Sequence, residues 1–145
     1  MTYRSVFREN SQAVQAHLNI TQSVIQRMAS NAASCKAWSI ALVSAVLVVV
    51  ADRGRPEYAL FALVPTLLFL VLDSYYLALE RAFRGSYNEF IDKLHRGDIA
   101  ASDLYAVSPK GRVCSLTVKS ALSFSVWPFY AGLTVMTLAA GFLLI

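Results

Sequence analysis

Charge is scarce in this chain. Of its 145 residues 15% are charged and 57% are hydrophobic, a balance that excludes an ordinary soluble domain. The length allows one domain, or one small domain with tails. Cysteine is limited to Cys35 and Cys114, which are far apart, have no metal-type neighbours and cannot build a disulfide scaffold. Met1 to Glu9 contains no apolar h-region, so no cleavable signal peptide is expected. Catalytic signatures are missing too. There is no Gly-rich phosphate loop, no Cys-x-x-Cys and no His-Glu-x-x-His, and no Gly-x-Ser-x-Gly elbow. Neither enzyme activity nor a cofactor or metal is expected.

What the chain does have is long apolar runs. The first covers Ala37 to Ala51 and needs Ser34 to Lys36 to complete a span. The second covers Tyr58 to Leu72 and continues to Leu79. A bilayer core of ~30 Å takes ~20 helical residues, so both read as membrane helices. Only Asp52-Arg53-Gly54-Arg55-Pro56-Glu57 separates them, with the charges, glycine and proline of a solvated tight turn.

Each run extends into a polar, periodic segment. Before the first, Val14, Leu18, Thr21, Ile25, Met28 and Ala32 alternate by four and three, the spacing of a narrow helical seam. No proline or glycine falls between Ser11 and Ala51, so one helix of roughly 60 Å is expected. After the second run, Tyr76, Leu79, Phe83, Tyr87, Phe90 and Leu94 recur at helical spacing, up to a stop at Arg96-Gly97-Asp98. The expected fold is an all-α membrane protein, in which a long antiparallel transmembrane helical hairpin carries a cytoplasmic stalk. Val14, Leu18, Ile25, Phe83, Tyr87, Phe90 and Leu94 are the expected stalk-packing residues.

With the turn centred at Gly54 and Arg55, antiparallel helices of equal rise pair residues whose numbers sum to about 109. That sets Lys36 opposite Asp73, a carboxylate inside an apolar run and therefore costly. Two readings follow. The two charges form an ion pair that fixes register, or Asp73 lines an ion path or senses protons. The same arithmetic brings His17 and His95 within a turn of each other, as solvated or stacking side chains or as a pH-responsive or metal-binding pair, for which two imidazoles alone make a poor site.

Residues 99–119 read as a cytoplasmic linker between the 1–98 hairpin unit and a third helix over 120–145. Ser102-Asp103 is a capping signal, Ser108-Pro109-Lys110-Gly111 a turn, and Arg112 to Lys119 a short interfacial helix. Ser120 to Ile145 carries no charge and is long enough to span. Its Ser123, Ser125, Gly132, Thr134, Thr137 and Gly141 permit close helix packing or line a wet path, and Pro128 is placed to kink it.

The net charge of +4 does not point to nucleic acid, because the basic residues flank the apolar runs instead of forming one stripe. Under the positive-inside rule the N-terminus and stalk are cytoplasmic, and the turn and C-terminus outside.

The stretch Gln22-Ser23-Val24-Ile25-Gln26-Arg27-Met28-Ala29 leads through Ser34, Lys36, Trp38 and Ser39 into the first span. Leu72-Asp73-Ser74-Tyr75-Tyr76-Leu77 and Glu80-Arg81-Ala82-Phe83-Arg84 follow the second. Together, over roughly Ser11 to Leu94, they resemble the small transmembrane effectors of bacterial anti-phage defence, the SLATT-type and retron-associated membrane effectors. The resemblance implies a homo-oligomer that permeabilises or depolarises the bacterial inner membrane when a soluble sensor or regulatory protein releases it. This chain departs from the two-helix form by adding Ser120 to Ile145 and by carrying no visible nucleotide-sensor domain. Two alternatives stand beside that function: a non-conducting membrane subunit whose stalk docks a soluble partner, and a small ion channel or transporter.

Overall fold

A computed structural model describes residues 11–54 and 56–143. The Met1 to Glu9 stretch, Arg55 of the expected turn and the end of the third apolar stretch at residues 144–145 fall outside these. All regular structure among the described residues is helical. Helix α1 is Gln12–Arg53, and α2 is Leu63–Arg96, entered through a 3-10 helix at Pro56–Ala62. Helices α3 and α4 are Val113–Ala121 and Trp127–Leu143.

The boundaries follow from local chemistry. Ser11 caps α1 by accepting from the Val14 N–H, satisfying one of the four amides that a helix start leaves open. At the other end Gly54 adopts a left-handed conformation, φ 58°, and its N–H reaches the Val50 and Ala51 carbonyls. Gly97 ends α2 in the same way at φ 71°. Only a residue without Cβ takes that conformation freely. Between these stops α1 runs 42 residues, about 63 Å at 1.5 Å per residue.

Two helices, α1 and the stretch Tyr58–Arg96 that contains α2, are long and apolar enough to cross a membrane. Only 22% of the most apolar window of each is buried, whereas a core helix of a soluble protein would be mostly covered. Trp38, Val48, Leu67 and Val71 are each more than half exposed.

The helices meet along one seam. On α1 it runs through Val14, His17, Thr21, Ile25, Ala32, Cys35, Ser39, Val43 and Val50, all buried. On α2 it runs through Thr66, Ser74, Ala78, Ala82, Phe90 and Leu94, mostly small residues four apart. Chain number rises along α1 as it falls along α2, since His17 meets Phe90 and Lys36 meets Asp73.

The last apolar stretch is divided. Helix α3 ends at Ala121 and α4 begins only at Trp127. Pro128 therefore sits in the first turn of α4, where its missing N–H costs nothing, and produces no kink. Seventeen residues give α4 a length of about 26 Å.

Candidate intramembrane site

Three helices converge on one carboxylate. Asp73 has no solvent exposure, and its Oδ2 accepts from Lys36 Nζ at 2.5 Å. The Lys36 side chain keeps 26% exposure, so its stem lies along the seam while its head reaches inward. From α4, the buried Tyr130 donates its hydroxyl to the Phe69 carbonyl at 3.1 Å, one turn from Asp73. Tyr130 and Cys35 are both close enough to feel the Asp73 charge.

Elsewhere in the apolar half, hydroxyls are satisfied within their own helix. Thr66, Ser74, Thr134 and Thr137 each donate to the carbonyl four residues back, at 2.6 to 2.9 Å. That local bond lets a polar side chain sit in an apolar setting. Two atoms break the pattern. Ser39 Oγ and Asp73 Oδ1 are buried without a hydrogen bond of good geometry, the Tyr130 hydroxyl lying near the carboxylate but directed to the Phe69 carbonyl. Burial of an unsatisfied group is costly, so the junction is polar, closed and imperfectly satisfied. A proton-accepting or water-binding centre has this character.

Of the residues expected to pack the stalk, Val14, Ile25, Phe90 and Leu94 are buried, while Leu18, Phe83 and Tyr87 are partly exposed. Val14, Phe90 and Leu94 form one cluster with Ile99, and Leu18 and Leu104 lean on it. Of the third-segment candidates, Thr137 is buried, Ser123, Thr134 and Gly141 are half-buried, and Ser125 and Gly132 are exposed. A side chain added at Gly132 would meet nothing. His17 is buried, whereas His95 is exposed. His17 stacks on Phe90 with ring centroids 4.1 Å apart.

Tyr130 escapes sequence reasoning because its run is apolar throughout, and no periodicity there singles out a face. The 99–119 segment is held against α2 by hydrogen bonds. Lys110 N–H donates to the Ala82 carbonyl and Ser86 Oγ to the Ser108 carbonyl, and just beyond the segment Arg81 donates to Ser120 Oγ. Among the described residues no group of three or more His, Cys, Asp or Glu could hold a metal ion. Comparison with family models, curated proteins and solved structures finds no match for this chain.

Proposed function

We propose that this chain is a membrane effector of the bacterial inner membrane that oligomerises and permeabilises or depolarises it, as in anti-phage defence. In this reading α1 and α2 form a transmembrane hairpin, their outer turns a cytoplasmic stalk, and α4 a third membrane element. The N-terminus is cytoplasmic and the C-terminus outside.

One observation carries the reading. The Lys36–Asp73 pair, closed over by Tyr130, sits between helices whose other faces are apolar and uncovered. A charge pair in that setting is tolerated only while each partner has the other. If copies reassort so that α1 and α2 part, both charges need new partners, and the available ones are water and neighbouring copies. Assembly then turns a closed pair into a ring of polar groups around a wet path. The open face at Gly132 lets another helix approach closely.

The test is membrane potential in living bacteria after induced expression, read with a voltage-sensitive dye. Wild type should depolarise rapidly. Asp73→Asn, or truncation before Ser120, should abolish the effect while the protein still inserts. No depolarisation by wild type, with or without phage challenge, would rule out a pore.

A second reading, a non-conducting subunit that docks a soluble partner, draws on the connector folded over the stalk around a cavity of about 220 Å³. An inserted protein that never depolarises but retains a specific soluble protein through that surface would favour it.

A further inference from the structure

We infer that His17 is a proton-binding site whose occupancy releases the 99–112 connector from the stalk. The site stands apart from the Asp73 junction and does not depend on the membrane reading.

The geometry carries it. His17 is 4% exposed, with one ring face on Phe90. Its Nδ1 accepts the backbone N–H of Tyr105, 88 residues away, at 3.0 Å. A backbone amide can only donate, so Nδ1 must present a lone pair and the ring must be neutral with its proton on Nε2. Protonation would aim one N–H at another. The proton and the latch are therefore mutually exclusive.

Tyr105 is held in the left-handed region at φ 63°, the one described non-glycine residue there. A residue with a Cβ is disfavoured in that conformation, so surrounding contacts must enforce it. The latch is one of them. Beneath the connector lies the 220 Å³ cavity, lined by His17, Thr21, Phe90, Ser102, Asp103 and Val107 among others.

Among the described residues, few charged groups face His17. From α2 come Lys93 and Glu89, and from the connector comes Asp103, paired with Lys93 at 3.1 Å. Thr21, on α1 itself, is occupied by donating to the His17 carbonyl. Asp103 is held below its ordinary value by the Ala100 N–H and Lys93. Glu89 is held low by its hydrogen bond to Lys110. Both carboxylates stay ionised through mild acid, which leaves His17 as the titrating group at the latch among the described residues.

The sign follows. Burial lowers the His17 pKa in the closed state, against a smaller opposing pull from Asp103. With the connector open the ring is solvated and returns to its ordinary value of about 6.5. The closed state is thus fully favoured above that pH and loses ground as pH falls below it, by up to about tenfold per unit.

The experiment is hydrogen exchange on the full chain in lipid nanodiscs, corrected for intrinsic rate. In wild type, protection of connector peptides should fall about tenfold between pH 7.5 and 5.5, with peptides from residues 36–50 unchanged. His17→Asn keeps an acceptor that does not titrate and should hold protection flat. His17→Phe keeps the stacked ring without the acceptor and should leave the connector open at both pH values. His95→Gln should behave as wild type. Imidazole nitrogen shifts of wild type should show the Nε2–H tautomer at pH 7.5 and protonation with the same midpoint as the exchange. This last measurement stands even if a variant misfolds. Flat protection in wild type would overturn the inference, as would an equal fall in His17→Asn or a titration midpoint unrelated to opening.

Discussion

The two halves of the α1–α2 pair use polar groups in opposite ways. In the apolar half they are few and deep. Lys36, Ser39, Asp73, Ser74 and Tyr130 lie among exposed hydrophobic side chains, and apart from one ion pair each bonds its own helix, one backbone carbonyl across the interface, or nothing. In the stalk half, His17 and Thr21 aside, they are many and shallow, as in Lys93–Asp103, Lys110–Glu89 and Arg84–Glu80, with the apolar burial done by Val14, Phe90, Leu94 and Ile99. A polar contact should therefore matter most where polar contacts are rarest. Apolar packing should matter most where the surroundings are polar.

The largest effect is expected from Lys36→Ala, which leaves the Asp73 carboxylate buried and alone. Breaking a buried pair from one side costs about 3–5 kcal/mol, read as lost stability on denaturant titration in detergent. The double replacement Lys36→Met with Asp73→Leu should recover most of that loss, because no orphan charge remains. A double variant as unstable as the single would remove the electrostatic half of the comparison.

Phe90→Ala should be the largest single loss in the stalk, about 3 kcal/mol, as expected for emptying an aromatic site. It also removes the surface on which His17 stacks, so protection of the connector should fall at every pH, unlike the pH-dependent loss in wild type. Phe90→Leu should retain most of the stability. If Phe90→Ala cost no more than removing Lys110 from its solvent-facing pair with Glu89, the stalk would not be held by its core.

How much of this is readable without coordinates differs between the same two halves. The Lys36–Asp73 contact follows from counting outward from Gly54 and Arg55 at equal rise, although the second helix is entered through the 3-10 helix at Pro56–Ala62 and not from the expected turn over Asp52 to Glu57. In the stalk, the apolar period points to Val14, Ile25, Phe90 and Leu94. It points equally to Phe83 and Tyr87, which lean outward, because the buried row on α2 is built from Ala78 and Ala82. Small residues carry almost no hydropathy signal, yet they are what lets two backbones close up. The His17–Tyr105 bond spans 88 residues and depends on the path of the connector, which no local pattern encodes. The late start of α4 was partly encoded, in that proline prefers a first helical turn. In the break between the two helices Ser123 Oγ donates to the Ser120 carbonyl.

The smallest effect should come from Ser39→Ala, and it sharpens the comparison most. Ser39 is as deeply buried as Asp73, but its hydroxyl has no partner in this structure. If depth alone made polar groups costly to remove, this substitution would be damaging. If what matters is the partner left behind, deleting an unpartnered hydroxyl costs nothing and relieves its desolvation. Stability should then be unchanged or higher by up to about 1 kcal/mol. A loss above that size, measured in the same detergent titration, would mean that the hydroxyl is satisfied in the membrane. A water bridging it toward Asp73 Oδ1 would do so, and the junction would then be hydrated before any opening of the helices.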